Sequence, residues 1–369
     1  MSQAQIEIQI IASLVAVACA LPGVFLVLRR MAMMSDAISH TVLLGIVIAF
    51  FITKNINSPL LLIGAALMGV ITVSLVELLN RTRLVREDAA IGLVFPAIFS
   101  VAVILISRFA GDVHLDTDAV LLGELAFAPF NRLRLLSTDI GPQALYSSAG
   151  ILLLNILFIF LLYKELKLAT FDPALAAALG FAPAVIHYGL MTLVSLTAVS
   201  AFDAVGSVLV VAFMIAPPAA AYLLTDRLSR MLIYSALIGI FSAVGGYWLA
   251  HGLDASIAGS MATMTGVSFL VAYLLAPERG LLAQARRRRA QRVEFALTML
   301  TMHIAHHTAT QEAEQENKVV RLNEHLKWSP QFAMEIVGLA ERQGLVQQNK
   351  GLLFLTENGL KRAQQEFTA

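Results

Sequence analysis

The sequence predicts an all-α polytopic membrane protein of eight or nine transmembrane helices, followed by a small α+β domain outside the bilayer. Three observations carry this. The 369 residues are 58% hydrophobic and 14% charged, with a mean hydropathy of +0.77, which excludes an ordinary soluble globule. Apolar runs of about 20 residues recur through the first three quarters of the chain, the length a helix needs to cross a bilayer with its backbone satisfied internally. The charges crowd towards the end, 28 of them in the first 277 residues and 23 in the last 92. A lipid-embedded domain over residues 1–282 and a water-soluble one over 283–369 follow.

In order, the apolar runs are 8–28, 37–53, 58–76, 89–107, 144–163, 182–202, 204–225, 231–250 and 255–276, none with an Asp, Glu, Lys or Arg. The second carries His40 and the sixth His187. The second is short, and whether it crosses fully decides between eight spans and nine. The first lacks the basic stretch and cleavage site of a removable signal peptide and is expected to stay as a span. It holds the single cysteine, Cys19, so a thiolate metal cluster and an intrachain disulfide are both excluded. Lys and Arg mark the cytoplasmic side of short loops. Arg29 and Arg30, then Arg81, Arg83 and Arg86, then Lys164 and Lys167, then Arg227 and Arg230, then Arg279 with the arginines at 286–289 fall on alternate loops. The N-terminus is therefore expected outside and the C-terminus in the cytoplasm of a multi-pass inner-membrane protein.

An ionisable residue within a span is costly and by default a functional hypothesis. Asp36 and His40, spaced i and i+4, lie on one helical face about one turn apart. A carboxylate and an imidazole so placed suit Mn²⁺, Fe²⁺ or Zn²⁺ better than Cu(I), which prefers sulfur. The competing reading is an interfacial Asp N-cap beside a solvated histidine. For His187, alone on an apolar helix, a buried hydrogen-bonding role stands against a metal ligand. Asp203, ahead of Gly206, is expected to cap the next helix. Pro217 and Pro218 remove two backbone donors and should break or bend their helix. The loop with Asp112, His114, Asp116, Asp118 and Glu124 either attracts cations or is merely solvated.

Between the fifth and sixth runs, Phe171-Asp172-Pro173 opens a short helix: Asp172 fits the N-cap, Pro173 the first helical position and Gly180 the C-terminal cap. Leu175 and Leu179 make it apolar, so it needs a partner surface. Here the chain resembles the metal-ion (manganese, zinc or iron) ABC transporter permeases. The resemblance spans residues 8–282 and rests on Leu28-Arg-Arg-Met-Ala-Met-Met-Ser-Asp36-Ala-Ile-Ser-His40, Phe171-Asp172-Pro173, His187-Tyr188, Ala204-Val-Gly206-Ser-Val-Leu-Val-Val, Pro217 onward, and Ala276-Pro-Glu-Arg-Gly280-Leu-Leu. It implies a divalent-metal path past Asp36 and His40, manganese first among the cargoes. It also implies a coupling helix of Phe171, Asp172, Pro173, Leu175, Leu179 and Gly180 that docks into a separate ATPase subunit. A second permease subunit, a copy or a paralogue, and an extracytoplasmic metal-binding protein complete the assembly. Pro217-Pro218 and Asp203 depart from the family pattern. No Gly-x-x-x-x-Gly-Lys-Ser/Thr loop occurs, so ATP is expected on the partner and this chain is not itself an enzyme. No covalently bound cofactor is expected.

Past the spans, the arginines at 286–289 suit anionic lipid headgroups, nucleic acid or a stop-transfer signal. Helices over 293–308, 319–326 and 330–343, a charged linker over 311–317, a hairpin over 344–356 and a helix over 357–367 follow in pattern. Helices followed by a Gly-bounded hairpin resemble a winged helix, similar to the DNA-binding module of metal-dependent repressors. Its recognition helix sets only Arg342 against Glu335 and Glu341, so a DNA partner is not expected, and a regulatory or assembly role is. His303, His306 and His307, at i, i+3 and i+4, either offer three imidazoles to Zn²⁺ or Mn²⁺ or form a solvated polar face. Two alternatives to an ATP-driven importer subunit stay open: an ATP-independent metal carrier with a cytoplasmic sensor domain, and a membrane-tethered DNA-binding regulator.

Overall fold

Out of reach of water, the backbone of each apolar run satisfies its own N–H and C=O groups by coiling into helix. The computed structural model describes residues 2–55, 58–109, 125–135, 138–308 and 316–367, and the chain divides into two compact units, Met1–Gly280 and Leu281–Ala369. The first contains α1 (Gln3–Leu28), α2 (Ala32–Thr53), α3 (Pro59–Arg81), α4 (Glu87–Phe109), the strands β1 (Arg132–Leu135) and β2 (Thr138–Pro142), then α5 (Gln143–Leu161) and the short α6 (Tyr163–Phe171) and α7 (Pro173–Ala178). It closes with α8 (Pro183–Val205), α9 (Ser207–Leu224), α10 (Leu228–Leu253) and α11 (Ile257–Leu275). Among the described residues nine helices, α1 to α5 and α8 to α11, are long and apolar enough to cross a membrane. The protein is a mostly helical, polytopic membrane protein. The short second run becomes α2, whose 22 residues suffice because Ala32 to Asp36 join it.

Helix α1 is central, packed against α5, α8, α9 and α10, while α2 packs on α3 and α4. The outer helices expose Ile104 of α4, Phe160 of α5 and Leu275 of α11, a surface suited to lipid. Lipid is as apolar as leucine, so helices associate through close packing and interhelical hydrogen bonds. Buried Asn155 of α5 provides such bonds, donating to the Ala18 carbonyl of α1 at 2.8 Å and to Thr197 Oγ1 of α8 at 3.0 Å.

Pro217 and Pro218 lie inside α9, which continues as one helix from Ser207 to Leu224. Its neighbours hold it: Gly23 of α1 lies so near Met214, whose carbonyl lost its partner to Pro218, that an added Cβ would sit 2.1 Å from that oxygen. Against the sequence expectation, Asp203 does not cap α9. It falls in the last turn of α8, and Gly206, at φ 79° and ψ 160°, takes the N-cap position in a conformation open to glycine. The acidic loop from Asp112 to Glu124 lies outside the described residues.

The second unit contains α12 (Leu281–His307), a 3₁₀ turn (Val319–Arg321), α13 (Leu322–Leu326), α14 (Pro330–Arg342), the strands β3 (Val346–Asn349) and β4 (Leu352–Leu355), and α15 (Glu357–Phe367). The helix expected to start at 293 is one 27-residue helix that takes in the arginines at 286–289, and the helix expected over 319–326 splits into the 3₁₀ turn and α13. Ser329 caps α14, accepting the Phe332 N–H. Lys350 and Gly351, at φ 48° and 84°, give β3 and β4 the two-residue turn with both φ values positive that suits a twisted hairpin. Leu297, Leu300 and Ile304 of α12, Ile336 and Val337 of α14, and Leu353 of β4 form a core of its own. The described sheet content is two hairpins, one in each unit.

Candidate metal path and coupling surface

Met31, not Asp36, takes the N-cap position of α2, so Asp36 and His40 both lie inside the helix and the capping alternative falls away. His40 Nε2 and Asp36 Oδ1 are 3.6 Å apart, with side chains 28% and 39% exposed, accessible without being solvated throughout. Two donors holding one ion at about 2.0–2.2 Å each would stand roughly 3–3.5 Å apart, so this pair needs little adjustment to share a cation. Phe95 and Phe99 of α4 enclose the imidazole, the first stacked at 5.5 Å between centroids and the second edge-on at 5.7 Å. Among the described residues no group of three His, Cys, Asp or Glu side chains meets as a ready metal site. The pair by itself presents two donors, one oxygen and one nitrogen.

His187 has a different environment. Arg29 Nη1 stands 3.2 Å from its Nδ1, and Arg29 Nε donates to Thr170 Oγ1 at 3.2 Å. A guanidinium can only donate, so Nδ1 accepts, and a second cation beside that charge would be repelled. The geometry favours the hydrogen-bonding role for His187 over the ligand role. Next to it Tyr188 donates to Glu77 at 2.7 Å, and Glu77 pairs with Arg81 at 2.6 Å. This network joins the ends of α1, α3, α6 and α8.

Thr170 leads directly into the short apolar helix. Asp172 caps α7, its Oδ1 accepting the Leu175 N–H at 2.9 Å, and Pro173 holds the first helical position. Gly180, at φ 86°, follows the C-cap residue Leu179 and turns the chain in the left-handed region. Phe171, Leu175 and Leu179 are 59%, 46% and 60% exposed, an apolar patch on a short segment otherwise made mostly of alanine.

Residues 3–276 match the family model described as the ABC 3 transport family. The chain belongs to the ABC 3 transport family. This ABC 3 chain is 47% identical over 358 residues to the zinc transport system membrane protein TroD of Treponema pallidum, covering 97% of each protein. It is 52% identical over 274 residues to the manganese transport system membrane protein MntD of Bacillus subtilis, covering 74% of this chain and 92% of that one. Among solved structures it is similar to PsaBC from Streptococcus pneumoniae in complex with Fab, with a TM-score of 0.62 and 27% identity over 76% of this chain and 94% of that one. The family model stops at 276, whereas the likeness to TroD takes in the C-terminal unit.

In that unit of the ABC 3 chain, the three histidines differ in exposure. His303 and His307 are half-buried with rings 4.8 Å apart, while His306 is exposed and meets only the edge of His307 at 5.1 Å. The ring of His325 lies 5.7 Å from that of His303. Burial pulls the His303 pKa below its ordinary value, the charges of His307 and His325 push the same way, and a contact with the Glu316 carbonyl opposes them. Sequence reasoning missed Phe95, Phe99, Arg29, Thr170, His325 and Glu316. Phe95 and Phe99 do share a helical face by their i, i+4 spacing, but no local signal says which helix that face meets.

Proposed function

We propose that this chain is the transmembrane permease subunit of an ATP-driven importer of divalent transition-metal ions, manganese or zinc foremost. The observation that carries the reading is the Asp36–His40 pair, 3.6 Å apart inside a span of an ABC 3 family protein, walled by Phe95 and Phe99. An oxygen and a nitrogen donor match borderline divalent cations. Two donors leave positions for water or for groups of a second permease subunit, so the ion is held and still released. The metal is cargo. Curated relatives named for zinc and for manganese transport support both candidates.

ATP hydrolysis belongs to a partner subunit, since no phosphate-cradling loop is present in the sequence. Phe171, Leu175 and Leu179 on α7 are the surface it docks against, and an extracytoplasmic metal-binding protein delivers the ion. The alternation of basic loops puts the N-terminus outside and the C-terminal unit in the cytoplasm. That unit is winged-helix-like and serves regulation or assembly. Helix α14 turns Ala333, Ile336, Val337 and Ala340 into the core and carries a single arginine, a weak basis for phosphate contact.

The test is uptake of Mn²⁺ and of Zn²⁺ into vesicles holding the permease with its ATPase. Asp36→Ala and His40→Ala should each reduce transport at least tenfold, by comparison with losses of about 10–100-fold for residues that only support a ligand. Chain level and ATPase association should not change. Uptake at the parent's rate in both variants rules out this path.

A further inference from the structure

Away from the spans, donor side chains from three points of the C-terminal unit come together. His303 and His307 stand one turn apart at the end of α12, and the ring of His325 on α13 lies 5.7 Å from the first and 6.4 Å from the second. Glu316 brings its carboxylate Oε2 to 2.5 Å from His325 Nε2 and its backbone carbonyl to 3.4 Å from His303 Nε2. Arg321 holds the other carboxylate oxygen at 3.5 Å, which orients Glu316. The backbone presenting these groups is anchored, because Ile304 beside His303 and Leu322 of α13 are both fully buried in the unit's core.

Imidazoles bound at about 2.0–2.1 Å to one tetrahedral ion have ring centroids roughly 5 Å apart, so the observed spacing of 4.8 to 6.4 Å is that of donors already gathered. In the present rotamers no three of them meet at a point, and Glu316 is paired to His325. Binding an ion therefore requires side-chain rotation, with Glu316 turning from His325 towards the shared ion. A ligating imidazole must be neutral, the form that burial favours at His303.

We infer that His303, His307, His325 and Glu316 form a binding site for a divalent transition-metal ion, separate from Asp36 and His40, that ties the end of α12 to α13. Three imidazoles and one carboxylate suit Zn²⁺ and its neighbours in the first row. That the site reads the ion carried by the membrane unit rests on the function proposed above; the existence of the site does not. His306, exposed and edge-on to His307, is outside it.

The test uses the full-length protein in detergent, titrated with Co²⁺ as a spectroscopic probe and with Zn²⁺ for stoichiometry. The parent, His306→Gln and the Asp36→Ala/His40→Ala double variant should all show the ligand-field absorption of the C-terminal site, whatever the membrane pair adds in the first two. His303→Gln/His325→Gln should lose that absorption and one Zn²⁺ equivalent, with apparent affinity lower by at least tenfold, as for loss of a supporting residue or more. Equal spectra and stoichiometry in this variant and the parent overturn the inference, as does a signal lost only with Asp36 and His40. Should the double variant fail to fold, Glu316→Gln decides: it keeps every imidazole, so a shifted band with weaker binding supports the site, and behaviour identical to the parent overturns it. Failure of the transport reading would show separately, as unchanged uptake in the Asp36→Ala/His40→Ala protein with the tail signal intact.

Discussion

At Asp36 and His40 the helical repeat alone dictates that the two side chains share a face, and the observed 3.6 Å is its consequence. The same repeat is silent about His187. Its neighbour Arg29 comes from a different helix, and only that contact turns the histidine from a candidate ligand into an acceptor. Replacing Arg29 by Ala deprives His187 and Thr170 of a charged donor, which should cost about 1.5–3 kcal/mol and lower the thermal unfolding midpoint of the purified protein. His187→Gln keeps an acceptor and is expected to leave both unfolding and metal uptake near the parent's. A selective loss of uptake in His187→Gln would return that residue to the metal path.

Elements were legible where punctuation is local. Asp172, Pro173 and Gly180 mark the start and end of α7 because cap preferences act over one turn of chain, and Ser329 marks α14 for the same reason. Asp172→Ala should cost about 1 kcal/mol of helix stability and weaken co-purification of the ATPase. Leu175→Asp should abolish that association while the chain still inserts, because it charges the exposed face without touching the cap. An unchanged complex in both variants would place docking elsewhere. Pro217 and Pro218 remove two donors from α9, and the helix continues through them. Packing against α1 preserves α9, so Gly23→Ala, which drives a Cβ onto the Met214 carbonyl, should destabilise the protein by about 1–3 kcal/mol, visible as a lower unfolding midpoint. An unaffected midpoint would mean that α1 and α9 can separate freely.

The whole chain is two units, each with its own buried cluster, the first around α1 and the second around Leu297, Leu300 and Ile304. A chain ending at Gly280 should therefore insert and support metal uptake, measurable in the same vesicles, and a truncated protein that fails to accumulate would give the second unit an obligatory assembly role. By itself the sequence determined the lipid-embedded class, the nearly complete set of spans, the Asp36–His40 face and the caps of α7. Each of these follows from the bilayer's thickness or from interactions within about one turn of helix. Tertiary structure alone decided that Phe95 and Phe99 wall His40, that Arg29 occupies His187, that Asp203 ends α8 instead of starting α9, and that His325 and Glu316 join His303 while His306 turns away. Those contacts join residues far apart in the chain, and what brings them together is how whole helices bury their faces against one another, which no short stretch of sequence encodes.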